Sequence, residues 1–405
     1  MKIINMNCTT RIGSITNAKY VSNDTITVIE YNNSCSECLC KAFFSSLSPS
    51  YVGLNCYMNN KTCYLFVNYS LSGMVVKDIN TKFIFKQAPP FRNVTEDPFP
   101  LSGITVAGYG NGSAGNTYKS LKNPFGLALD AADLLFVADY SNSRVMRFEP
   151  DSLTGTIVAG TGVRGTADNQ LGSPGEIAVD ASGNVYIYDD LNYRVMLWRA
   201  NATNGTRIAG TGTNGSTNEN LGSGMGLTRD SLGNLYISDK GNHRIMKWTP
   251  NATVGTLFAG TGTAGNAANM LRYPYGLFLD ENNSYLYVTD SGNARIQRFN
   301  LSNGTIGTTV AGGHGIGLSS SQLYNPYDVC VSKAGDIYIA DKSNHRIQLW
   351  KVGATTGITI IGMTGITGAN ATLLYGPSNV LLSANESFLY VSDNDNNRVQ
   401  RYKLP

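Results

Sequence analysis

Glu176, Asp328 and Asn379 occupy one register position in three segments of this chain, and the sister segments carry Gly126, Gly226 and Gly276 there. Oxygen donors gathered around an axis could hold a hard cation. Calcium takes about 6 to 8 oxygens, however, and three side chains are few. Hydrated polar groups lining a channel are the simpler expectation, with Arg229 as a cation able to pair with one of the acids. The imidazoles are His243, His314 and His345. His243 and His345 fall at the same place in a repeated hexapeptide two units apart, too distant to share a zinc ion with bonds of about 2.0 to 2.1 Å. The strings AGTGTNG and AGTGTAG read as sharp turns, because no helix follows whose N-terminus would bind phosphate. No Gly-x-Ser-x-Gly elbow is present. Neither a metal nor another cofactor is expected.

The hexapeptide is what organises the chain. DYSNSR, DDLNYR, DKGNHR, DSGNAR, DKSNHR and DNDNNR begin at Asp139, Asp189, Asp239, Asp290, Asp341 and Asp393, a spacing of 50 to 52 residues. Such a period signals a repeat architecture. An apolar run such as LYISD ends on each Asp, and a second run such as IMKW follows each Arg. Upstream stands a short strand such as GLALD, usually introduced by Pro, and downstream comes one such as TIVAG. These alternating runs, separated by turn residues, read as four antiparallel strands per unit with no helical period. Six such units predict an all-β, six-bladed β-propeller. The last unit stops at its third strand, while ITVAG at 104–108 stands unpartnered ahead of the first. The N-terminal strand is therefore expected to close the ring and hide two sheet edges.

The units resemble the NHL repeat: NPFGLALD, LFVADYSNSRVMRF and TIVAGTG follow its order, and GNHRIMKW and SNHRIQLW match its Asn-His-Arg-Ile core. The resemblance spans roughly residues 101–405. A YWTD-type propeller, suggested by LYVTD, explains neither the Asn-x-Arg nor the Ala-Gly strand. Asp139 with Arg144, Asp189 with Arg194, Asp239 with Arg244, Asp290 with Arg295, Asp341 with Arg346 and Asp393 with Arg398 are expected to pair across each hairpin through charge-assisted bonds. The Asn between them is expected to take the left-handed backbone of the tip. Among similar propellers, an amidating lyase holds zinc with three histidines, a role the positions of His243 and His345 do not suit. The resemblance implies binding on the face made by the hairpins and the loops entering the Pro-led strands. Tyr140, Leu191, Tyr193, Lys240, His243, Tyr273, Tyr275, Tyr324, Tyr327 and Lys342 are the candidates there, aromatics and cations of the kind that anchor interfaces.

Residues 1–86 carry no repeat, and 87–103, rich in Pro and polar residues, read as a linker to a propeller over 104–405. Cys8, Cys35, Cys38, Cys40, Cys56 and Cys63 crowd the first segment, as in a small disulfide-rich domain, with 15 possible pairings. NNSCSECLCKAFF and NCYMNNKTCYLF resemble the PAN/apple class, which implies protein or carbohydrate binding. Sixteen Asn-x-Ser/Thr sequons and the clustered cysteines point to an extracellular or secreted glycoprotein. The opening MKIINMNCTTRIGSI lacks an apolar core of signal-peptide length, which does not fit that setting. Residues 101–405 hold 22 basic and 22 acidic side chains, a balance that argues against a nucleic-acid groove. No apolar run reaches the length of a membrane span. The expected function is a non-enzymatic recognition or scaffold protein for a protein or glycan ligand. The alternative is a propeller hydrolase or lyase using a cation in the central channel.

Overall fold

The computed structural model describes residues 100–405 continuously and, before them, only short strand segments. The chain divides into two units, Met1–Glu96 and Asp97–Pro405. In the first, Cys40–Ser45 pairs with Tyr51–Asn59, which pairs in turn with Thr62–Tyr64, all antiparallel. Of the disulfide candidates, Cys8, Cys35 and Cys38 lie outside the described residues, and Cys40, Cys56 and Cys63 are described in their backbone alone.

The second unit is six four-stranded antiparallel sheets, each built in the order read from the repeats. Blade 1 comprises Pro124–Leu129, Leu135–Asp139, Arg144–Phe148 and Thr156–Ala159. Blades 2 to 5 begin at Pro174, Leu227, Pro274 and Pro326. Blade 6 takes Pro377–Leu382, Phe388–Asp393 and Arg398–Lys403 from the end of the chain and Gly103–Gly108 from its start. Val399 faces Ala107 and Gln400 faces Thr105 in that closing pair. The ring thus leaves no blade with a missing outer strand.

The second and third strands of each blade are buried almost throughout. The aromatic that ends each third strand, Phe148, Trp198, Trp248, Phe299, Trp350 or Tyr402, is almost fully enclosed. Each meets a glycine of the outer strand or of the turn leading into it. A Cβ on Gly103, Gly155, Gly205 or Gly255 would come within 2.5 to 2.8 Å of the ring it faces, so a larger residue would displace the aromatic. Cys330 is a small buried residue of the innermost strand, 2% exposed.

The hexapeptide pairs form in every blade. Arg Nε donates to Asp Oδ2 at 2.7 to 2.9 Å in all six, and each Asp is fully enclosed. The guanidinium also reaches the loop that enters its own blade: Arg144 donates to the carbonyls of Asn116, Thr117 and Ser120 at 2.8 to 3.0 Å. The second Asp oxygen accepts the N–H just before the innermost strand, Lys122 N in blade 1 at 2.7 Å. The motif therefore clamps a long loop onto the hairpin. The left-handed residue is not the Asn but the one after it, Ser143, Tyr193, His243, Ala294, His345 or Asn397. The Asn stays in the preceding turn so that its amide can bridge, Asn142 Nδ2 donating to Asp139 at 2.8 Å and to the Gly115 carbonyl at 2.7 Å. Arg244→Ala is expected to cost about 3 kcal/mol and no more, since Asp239 keeps bonds from Gly222 N and Asn242 Nδ2. A chemical denaturation midpoint that does not move would show the clamp to be dispensable.

Candidate functional site at the channel mouth

In five blades the Pro that opens the innermost strand sits opposite the Asp of the hairpin, as Pro124 does with Asp139, and blade 3 has Gly224 in its place. Pairing then slips by a residue before becoming regular, for instance between Pro174 and Ile177 and between Pro326 and Asp328. That irregularity frees two successive positions to face the axis. The first holds Phe125, Gly175, Met225, Tyr275, Tyr327 and Ser378, and the second Gly126, Glu176, Gly226, Gly276, Asp328 and Asn379.

In the second layer, Glu176 and Asp328 are 6% and 5% exposed. Asn379 Nδ2 donates to Glu176 Oε2 at 2.8 Å, reaching past Gly126 from blade 6 to blade 2. A Cβ on Gly126 would stand 2.8 Å from Glu176 Oε1, so the glycine makes room for the acid. Ile177 N donates to Glu176 Oε1 at 3.3 Å and Val380 N to Asp328 Oδ2 at 3.0 Å. Burial pushes the Glu176 carboxyl well above the usual range, and the nearby Asp328 charge pushes it further. Burial likewise raises Asp328, to about 7, against the pull of the Val380 and Val329 N–H groups. Ionising both acids together is therefore disfavoured in the fold. Arg229 lies elsewhere, at the far end of its strand opposite Leu235, with its guanidinium 5.3 Å from the Tyr186 ring. It does not neutralise the acids, because the strand carries it away from the mouth.

Three of the six first-layer positions are aromatic. Tyr275 and Tyr327 stack with centroids 4.1 Å apart, and Phe125 lies 6.0 Å from Tyr327 across the ring. Lys240 Nζ stands 4.7 Å over Tyr275, and Lys342 Nζ 4.8 Å over Tyr327. Each ammonium has an acid in its neighbourhood. Lys342 lies 3.9 Å from Asp395 and bonds Asn394 Oδ1 at 3.3 Å, while Asp190 feels the charge of Lys240. Tyr140 donates its hydroxyl to Asp190 Oδ2 at 3.0 Å, and Gly224 N donates to Oδ1. Burial raises the Asp190 carboxyl and lowers the Lys342 ammonium, the latter offset by Asp395. The layer is a lid of rings and ammonium groups, with one ion pair between Lys342 and Asp395.

Around the lid the face is uneven. Tyr273, Tyr324 and Tyr375, on the loops entering blades 4, 5 and 6, are 47%, 42% and 43% exposed. The matching positions of blades 2 and 3 hold only Gly172, Ser173, Gly222 and Ser223. Two of the tyrosines rest on histidines. His243 Nδ1 accepts Tyr273 N at 3.2 Å under an edge contact between the rings, and His345 Nδ1 accepts Gly376 N at 3.1 Å beside Tyr375. Burial lowers both imidazoles, which favours the neutral acceptor form. Leu191 is exposed at a hairpin tip, Tyr193 is half-buried in the left-handed position, and His314 is exposed on the loop between blades 4 and 5. The structure thus gathers Tyr140, Lys240, Tyr275, Tyr327 and Lys342 into the lid and leaves Tyr273 and Tyr324 on the rim. The sequence reading missed Phe125, Asp190, Asn394, Asp395 and Tyr375. Phe125 was legible as the residue preceding Gly126 in the same column as Tyr275 and Tyr327. Tyr375 shares the position of Tyr324.

The NHL repeat family model matches residues 323–349, from the loop entering blade 5 through its hairpin. Curated protein sequences gave no match. Among solved structures, a Bacteroides thetaiotaomicron protein of unknown function is similar at TM-score 0.58 and 14% identity, over 95% of this chain and 99% of that one. An auxiliary nutrient binding protein from Bacteroides ovatus is similar at TM-score 0.56 and 14% identity, over 96% of this chain and 91% of that one. A gluconolactonase from Xanthomonas campestris is similar at TM-score 0.51 and 16% identity, over 71% of this chain and 88% of that one. These likenesses are of fold alone, that of a β-propeller.

Proposed function

We propose that this NHL-repeat propeller is a secreted, non-enzymatic recognition protein that binds a protein or glycan on its hairpin face. The observation that carries the reading is the rim of exposed tyrosines on three successive blades beside a lid of aromatic rings and cations. Rings of this kind bind sugar faces and protein surfaces alike, at little conformational cost. The neighbour described as a nutrient binding protein supports a binding role, and the gluconolactonase shows that the fold also serves catalysis. Retention on arrays of immobilised polysaccharides and of extracellular proteins tests it. Tyr273→Ala, Tyr324→Ala and Tyr375→Ala combined should weaken retention at least about tenfold, the loss of a little over 1.4 kcal/mol, with an unchanged melting temperature. Retention that survives all three substitutions overturns the reading.

The second reading, a hydrolase or lyase with a channel cation, is favoured by the two acids facing the axis. Their burial, their bonds to Asn379 and Val380 and the cost of ionising both weigh against it. Melting in millimolar calcium and in EDTA separates the two. We expect coincident curves. A calcium-dependent rise that vanishes in the Glu176→Gln, Asp328→Asn variant would put the channel enzyme first, since a ligand that binds only the folded state raises stability by mass action.

A further inference from the structure

The sequons that the recognition site does not use are unevenly distributed between the two faces. The chain enters each blade at the hairpin face. The turns joining the first strand to the second, and the third to the outer one, therefore lie on the opposite face. Ten sequons fall within the continuously described propeller, and seven of them are on that opposite face. Asn201 and Asn204 lie in the turn after the third strand of blade 2 and Asn251 in that of blade 3, while Asn300 and Asn303 flank the same turn in blade 4. Asn282 and Asn385 lie between the first two strands of blades 4 and 6. Asn111, Asn214 and Asn370 are on the hairpin face, where the loops are longer, for example 160–173 against 149–155 in blade 1. Loop length alone predicts the reverse bias.

Local geometry suits these residues as acceptors. All seven are exposed. In Asn300 and Asn303 the amide oxygen accepts from the backbone N–H and hydroxyl of the sequon's own Ser302 or Thr305, at 2.7 to 3.2 Å, which leaves Nδ2 outward. Asn385 does the same with Ser387 N at 3.0 Å. Asn201 and Asn251 hold left-handed turn positions. The turn itself does not demand Asn, because Asp151 in blade 1 and Gly353 in blade 5 serve there without a sequon.

We infer that the protein is an N-glycan acceptor whose carbohydrate concentrates on the face away from the hairpins, leaving the tyrosine rim bare for its ligand. In the transfer, the asparagine Nδ2 bonds to C1 of a lipid-diphosphate-linked oligosaccharide. The bond from C1 to the diphosphate oxygen breaks, the lipid diphosphate leaves, and one amide proton passes to a base on the transferase. The inference rests on the extracellular part of the reading above.

The test is site occupancy on the full chain, secreted by eukaryotic cells behind an added signal peptide. Enzymatic release of glycans in heavy-oxygen water marks each occupied site as labelled Asp, read by peptide mass spectrometry. We expect occupancy in all five opposite-face turns and more of it in total than at Asn111, Asn214 and Asn370. No occupancy in those turns, or as much on the hairpin face, overturns the inference. Array retention is read on the same preparation. Bare turns with tyrosine-dependent retention overturn the glycan inference alone, and glycosylated turns without retention overturn the recognition reading alone.

Discussion

Removing residues 1–110 is expected to lower the melting temperature sharply, while removing 1–95 leaves it where it was. The longer deletion takes away Gly103–Gly108, the outer strand of blade 6, and bares the edge of Arg398–Lys403. With it go the buried Ala107, the Thr105 hydroxyl bond to Gln400 at 2.8 Å, and the Gly110 carbonyl that accepts Arg398 Nη1 at 2.7 Å. Leu101, 8% exposed and hydrogen-bonded through its N–H to the Ile360 carbonyl at 2.8 Å, is lost as well. Tyr402 loses the backbone that covers its ring at Gly103. An open edge and a cavity together should cost several kcal/mol, a large part of an ordinary domain's stability. The shorter deletion removes none of these contacts. Calorimetry of the two truncations decides the matter, and equal melting temperatures would falsify ring closure by the N-terminal strand.

The closure was legible because it is a matter of counting: six third strands, five outer strands after them, and one spare ahead of the first. The hairpin pairs were legible for the same reason, repetition at fixed offsets. The work of the Asn was not, since its amide and its backbone tolerance are both plausible from its type. Only the structure shows Asn142 bridging Asp139 to the Gly115 carbonyl while Ser143 takes the left-handed turn. The column of Glu176, Asp328 and Asn379 was readable by alignment, yet its bonding was not. The bond from Asn379 passes Gly126 to Glu176, which requires knowing how closely first strands approach the axis. Arg229 shows the limit of column reading: its place three residues along the strand from Gly226 carries it to Tyr186 and away from the acids. The pairing of Tyr140 with Asp190, from hairpins on successive blades, depends on blade packing that no local pattern encodes.

The second large effect concerns the acids themselves. Asp328→Asn should stabilise the protein above neutral pH and leave it nearly unchanged near pH 4. Burial raises the Asp328 carboxyl from 3.8 to about 7, so the folded state binds more protons than the unfolded chain between those values. Stability therefore falls as pH rises through that window, by about 1.4 kcal/mol per pH unit for one proton, or roughly 4 kcal/mol across it. Glu176, raised by burial and by Asp328, adds to the same slope. Asn in place of Asp328 retains an acceptor for Val380 N and removes the charge that Glu176 opposes. Other groups titrate nearby: burial raises Asp393 to about 6, and the lowered His243 and His345 slope the opposite way, losing stability as pH falls. Parent and variant share all of those, so the difference between their urea-unfolding free energies at pH 4, 6 and 8 isolates the pair. The difference should be small at pH 4 and grow with pH in favour of the variant. A variant less stable than the parent at pH 8 would mean that the ionised acids are compensated in the channel, as they would be around a bound cation, and would return the mouth to the channel enzyme.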